Sequence, residues 1–245
     1  MKHFITILGT VTAALIQGCS EQGSTAPAES IPGIAHRAVA LEFDPANFVA
    51  TIDNPYFPLI PGTVFHYRSE TSDGVETGEV EVTHATKQIL GVTTTVVHDR
   101  VSLDGELTEA TFDWFAQDQQ GNVWYFGEDS KEIEDGQVVS TEGSWQAGVN
   151  GAEPGIVMLA ELKSGTSYRQ ELAPDVAEDM ARVLGRKASV SVPYGDFEGC
   201  LHTLEWTPLE PGVREHKFYC PGVGLVLEVA PREGHGRNEL IAITD

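Results

Sequence analysis

The chain has 245 residues, of which 37 are Asp or Glu and 15 Lys or Arg, giving a net charge of −22 and a pI near 4.5. A field of that sign repels nucleic acid and anionic headgroups, and no Lys/Arg cluster in the sequence offsets it, so nucleic-acid binding is excluded. Hydrophobic content of 41%, with four Trp and ten Phe, suffices for a sizeable core and excludes global disorder.

The N-terminus sets the expected compartment. Lys2 and the apolar run Phe4–Ile16 have the form of a secretory signal, too short to span a bilayer as a helix. Leu15-Ile16-Gln17-Gly18-Cys19 resembles a bacterial lipobox, with Gln17 departing from the usual small residue. That resemblance implies a lipoprotein signal peptide over 1–18, cleavage before Cys19 and lipid on its thiol. Ser20 in the next position is similar to lipoproteins sent to the outer membrane. Residues 19–36 then comprise the lipidated Cys and a Ser-, Gly-, Pro- and Glu-rich tether, and 37–245 one β-rich domain.

Further along, 54–62 (NPYFPLIPG) is punctuated by proline and predicts a stiff packed loop. Strands follow at 63–69, 75–84, 91–103 and 106–117, each alternating or β-branched. The densest aromatic run, 112–129 (FDWFAQDQQGNVWYFGED), reads as a hairpin around Asp118-Gln119-Gln120-Gly121, closed by a type I turn and a G1 bulge. In that register Asp118 faces Asn122, Ala116 faces Trp124 and Trp114 faces Phe126. Phe112, Trp114, Ala116, Trp124 and Phe126 share an apolar face, while Asp113, Phe115, Gln117, Val123 and Tyr125 share the other. Both faces are apolar enough to need cover.

An Asp-Gly turn at 135–136 precedes a Gly-rich loop, 143–155, carrying Trp145. Residues 174–184 (PDVAEDMARVL) predict one short helix with Val176, Met180, Val183 and Leu184 on one side and Gly185 as its stop. Strands resume at 188–192, 200–206, 215–219, 224–230 and 238–244. The expected fold is all-β: a strongly curved antiparallel sheet or partly closed β-barrel with one short helix.

Beyond Cys19 only Cys200 and Cys220 remain, and an oxidising compartment makes a disulfide the leading reading, a reactive or metal-binding thiol pair the alternative. Setting Cys200 opposite Cys220 places His202 opposite Phe218 and His216 opposite Leu204. The two histidines then lie diagonally on one face, where they would hold Zn²⁺ or Cu²⁺ with a carboxylate as third ligand. No nucleophile elbow, HExxH, Walker loop or dinucleotide motif occurs, and no cofactor is called for. Residues 116–127 fail as an EF-hand, having Ala116 where Asp and Gly127 where Glu is needed.

Two stretches resemble a family: Tyr56-Phe57-Pro58-Leu59-x-Pro61-Gly62-Thr63-x-x-x-Tyr67, and 219–226 (YCPGVGLV). They are similar to the opening and closing strands of uncharacterised bacterial secreted or lipid-anchored β proteins, and the hairpin motif resembles a signature of the same group. The resemblance implies a curved antiparallel sheet and carries no activity or catalytic residues. Three functional expectations follow. The first is a lipid-anchored, non-catalytic envelope protein binding an apolar or amphipathic small molecule on a concave sheet lined by Phe112, Trp114, Trp124 and Phe126. The second is an enzyme using Asp113 or Glu128, aided by His98. The third is metal binding at His202 and His216.

Overall fold

The computed structural model describes residues 39, 41–230 and 236–245; the expected signal peptide, Cys19 and tether lie outside them. Fifteen strands occur in chain order: β1 (Phe48–Val49), β2 (Val64–Glu70), β3 (Val75–Ile89), β4 (Val92–Leu103), β5 (Glu106–Asp118), β6 (Val123–Glu134), β7 (Gln137–Ser140), β8 (Trp145–Gln146), β9 (Gly155–Met158), β10 (Ser167–Arg169), β11 (Met180–Val192), β12 (Gly195–Trp206), β13 (Glu215–Cys220), β14 (Gly224–Val229) and β15 (Arg237–Thr244). They form one antiparallel sheet in the order β10-β11-β12-β13-β14-β15-β2-β3-β4-β5-β6-β7, with β1 on β5 and both β8 and β9 on β6. Two meanders are thus joined where β15 pairs with β2.

The sheet is open but strongly curled. Tyr194 N donates to Leu240 O at 3.2 Å, tying the β11–β12 turn to β15, and Glu153 N donates to Leu172 O at 2.9 Å, bringing the segment after β10 back toward the β6 side. Phe57, from the proline-punctuated loop, lies inside this curl, edge-on to Phe115 (5.5 Å) and tilted against Tyr219 (6.3 Å). Gln117 holds that loop in place, its Oε1 accepting from Asp53 N (3.0 Å) and Asn54 N (2.8 Å).

No α-helix forms at 174–184. A tight turn holds Ala173 N to Ala177 O at 2.8 Å, and β11 then begins at Met180. Helical spacing had grouped Val176 and Leu184 as core, yet they are 45% and 36% exposed while Ala181 and Val183 are fully buried. The stretch therefore obeys a period of two. Pairing with β12 and β10 satisfies its backbone, and tertiary context overrides a weak local propensity.

The opening hairpin keeps its predicted register near the turn. Asp118 N donates to Asn122 O (2.9 Å), Gly121 N donates to Asp118 O (3.0 Å), and Ala116 stands opposite Trp124. Below that, the ladder slips by one residue between Asp113/Glu128 and Phe115/Tyr125, so Trp114 stands opposite the two-residue bulge Phe126–Gly127 instead of Phe126 alone. Gly127 sits in the bulge at φ +121°, and a Cβ there would meet Trp145 O at 2.2 Å. The bulge lets β8 press against β6. Gly127→Ala is expected to destabilise the fold by about 3 kcal/mol, read as a lower urea midpoint, because it adds both left-handed strain and a backbone clash.

Candidate functional site

Strand alternation sorts the hairpin's two faces, and the structure places them the other way round from the sequence expectation. Asp113, Phe115, Gln117, Val123 and Tyr125 face the inside of the curl and are buried. Phe112, Trp114, Trp124 and Phe126 face outward, where Phe43 and Phe48 cover Trp124 and Phe126 with edge-to-face contacts of 5.6–6.0 Å. Lys87 Nζ lies 3.1 Å over the Trp114 ring, and His98 stacks on Phe112 at 4.2 Å. The four aromatics expected to line a concave binding face are instead a covered outer layer.

The inner face combines packed rings with carboxylates. Register places Val97, Asp113 and Glu128 in one row across β4, β5 and β6. Thr203, Lys217 and Glu228 form another across β12, β13 and β14. Tyr125 OH donates to Asp113 Oδ1 at 2.6 Å. Burial pushes the Asp113 carboxyl up to about 7, the Tyr125 hydrogen bond opposing this and Glu109 adding to it. Glu171, reached from the segment after β10, is fully buried; burial and the nearby Asp179 and Glu128 push it well above the ordinary carboxylate range, with Trp145 offsetting part. Burial likewise raises Glu76 to about 7, with Glu109 as the second cause. Across the sheet Lys217 Nζ serves Glu205 (3.3 Å), Glu215 (3.4 Å) and Glu228 (3.8 Å).

Asp113 and Glu128 are therefore brought together and buried, as a general-acid role would need, but His98 is not with them. It stands opposite Phe112, on the outer face. Neither the large cleft described below nor three smaller ones is lined by Asp113, Glu128 or Glu171. The free space among Phe57, Phe65, Tyr67, Val80 and Leu225 is about 20 Å³, room for roughly one water. At this point between the two meanders the described side chains pack closely.

Cys200 and Cys220 form the expected disulfide, Cα to Cα 4.2 Å, and His202 and His216 take the expected partners Phe218 and Leu204. The imidazoles are not spaced around an ion. His202 Nε2 and His216 Nδ1 share a hydrogen bond at 2.8 Å, His202 stacks on Phe218 at 4.3 Å, and no third ligand completes a metal-binding group among the described residues. Burial and the neighbouring His216 lower the His202 pKa.

A wide cleft lies on the outer face of the β11–β12 hairpin. Three ladder irregularities fall there: Leu184 is extra between Val183/Thr203 and Gly185/His202, Arg186 and Lys187 together oppose one residue, and Gly199 (φ +71°) bulges β12. Bulges bend strands and re-aim side chains, and these create a cleft of about 1020 Å³. Leu162, Leu184, Ala188, Tyr56 and Pro221 supply apolar wall; Lys163, Arg186, Lys187 and His202 supply polar groups. The disulfide fixes Gly199 and Pro221 at its edge. Sequence reading missed this site. Its one available signal was Arg186-Lys187, the only two consecutive Lys/Arg residues in the chain, standing right after Gly185.

No protein-family model matches the sequence, and no curated protein does. A solved structure from Parabacteroides distasonis ATCC 8503, designated a lipoprotein, is similar over 81% of this chain and 99% of its own, with a TM-score of 0.41 and 11% identity. No helix among the described residues is long and apolar enough to cross a membrane.

Two outcomes follow for stability. Asp113 and Glu76 have folded-state pKa values raised to about 7 from 3.8 and 4.5, so the folded state binds more protons than the unfolded chain. Their contribution is fully present below the unfolded values and is lost as pH rises through about 7. The urea midpoint is expected to fall between pH 5 and pH 8, and Asp113→Asn to flatten part of that slope. Replacing both Cys200 and Cys220 by Ser opens a link of sequence separation 20 and should cost about 3 kcal/mol in chemical denaturation.

Proposed function

We propose that this protein is a lipid-anchored, non-catalytic envelope protein, one β domain on a flexible tether, that binds an amphipathic small molecule in the outer cleft of the β11–β12 hairpin. The observation that carries this reading is the convergence of three bulges on a single cleft of about 1020 Å³ with both apolar and polar walls. Regular pairing would have left a flat strand surface there. Its size suits a drug-sized or single-chain ligand, and clefts of mixed lining with a few placed polar groups are the usual form of small-molecule sites. The anchor rests on the lipobox-like 15–19 and the tether composition of 20–36. The outer membrane is the location that Ser20 favours.

The expected concave site lined by Phe112, Trp114, Trp124 and Phe126 gives way to an outer site because Phe43 and Phe48 cover Trp124 and Phe126, Lys87 lies over Trp114 and His98 stacks on Phe112. Among the clefts described for residues 39, 41–230 and 236–245, none is lined by Asp113 or Glu128, so catalysis there is the weaker reading.

Leu184→Glu puts a charge into the apolar wall at a position already 36% exposed, so folding should be preserved. Binding of the neutral apolar fluorophore Nile red should weaken about tenfold, with the thermal midpoint within a few degrees of the parent. Unchanged dye binding in this variant, together with loss in Trp124→Ala, would move the site to the aromatic layer.

A further inference from the structure

The chain carries 37 acidic and 15 basic residues, so an ordinary patch of its surface is acidic. The outer cleft reverses that balance. Lys163, Arg186 and Lys187 line it, His202 adds a titratable nitrogen, and no carboxylate is among its lining residues. Lys163 is partly committed, its Nζ lying 2.8 Å from Glu161 on the exposed rim. Arg186 and Lys187 form no ion pair among the described residues. Their placement is a consequence of the ladder: two residues on β11 oppose one on β12, between the pairs Gly185/His202 and Ala188/Cys200.

Folding gains little from this arrangement. Arg186 and Lys187 are both exposed side by side at one bulge, and Leu184 beside them is left partly in water. An anion would meet two cations at Arg186 and Lys187, and a hydrocarbon tail along Leu162, Leu184 and Ala188 would cover the exposed apolar wall. Arg offers a planar fork that takes a carboxylate through two parallel hydrogen bonds, and Lys adds a point charge.

We infer that the cleft takes a free single-chain amphiphile with a monoanionic head, a carboxylate being the simplest, held at Arg186 and Lys187 with its tail along Leu162, Leu184 and Ala188. The inference rests on the cleft being the binding site and adds the charge and shape of the ligand. An anionic bilayer surface presents similar heads, but a net charge of −22 opposes approach to a sheet of negative charge far more than to one monomer.

The test is calorimetric titration of the purified protein with dodecanoate, monododecanoyl glycerol and dodecyltrimethylammonium, each below its micelle concentration. Dodecanoate should bind tightest and weaken with added salt. Arg186→Gln with Lys187→Gln should weaken dodecanoate about tenfold while leaving the glycerol ester unchanged. The neutral or cationic amphiphile binding as tightly as dodecanoate, or the double variant binding dodecanoate like the parent, would overturn the anionic assignment. Cosedimentation with phosphatidylglycerol vesicles without binding of free dodecanoate would overturn it in favour of a membrane surface. In the first two cases a Leu184→Glu effect on the neutral ester keeps the cleft as the site; no binding of any of the three amphiphiles overturns both readings.

Discussion

Phe57, Phe115, Tyr125, Trp145 and Tyr219 form a connected stack of rings inside the curled sheet, with centroid separations between 4.7 and 6.3 Å. Most of the architecture depends on it. Phe57 touches a ring from each meander, so the stack bridges the N-terminal strands β2–β7 and the C-terminal strands β10–β15. Buried rings of this size contribute the largest apolar area per residue, and their mix of edge-to-face and stacked contacts adds specificity. Gly127 and Gly155 let backbone approach where the loop carrying Trp145 closes over the stack: a Cβ at Gly155 would lie 1.9 Å from Gln170 O.

Packing these rings inside the curl has two consequences. Carboxylates that alternation directs inward must share space with rings, and they are held protonated more readily than in water; Asp113, Glu171 and Glu228 are all fully buried. Lys217 is the buried cation that offsets one side of this row, through Glu205, Glu215 and Glu228. The second consequence concerns ligand binding. The cleft proposed for a small molecule lies on the outside, where the β11–β12 ladder breaks.

Much of this was legible in the residues. Alternation in 75–84 and 112–117 identified strands, the Asp118–Gly121 turn set the register around Ala116 and Trp124, and opposing Cys200 to Cys220 yielded the pairs His202/Phe218 and Leu204/His216. Three things were not legible. Periodicity sorts side chains into two faces without saying which is inside, so the aromatic face of the hairpin was taken for the concave one. Residues 174–184 carry a helical pattern that pairing with β12 overrides. The cationic cleft sets Lys163 beside Arg186 and Lys187 where the β11–β12 ladder shifts three times, and a bulge depends on local backbone geometry that composition does not reveal.

The proposed ligand site is the outer face of β11 and β12, away from the aromatic hairpin that dominates the sequence. Photo-crosslinking with a diazirine-bearing fatty acid, followed by peptide mapping of the labelled protein, tests that placement most directly. Label on residues 162–164 and 184–188 is the predicted result. Label concentrated on residues 112–126 would contradict it.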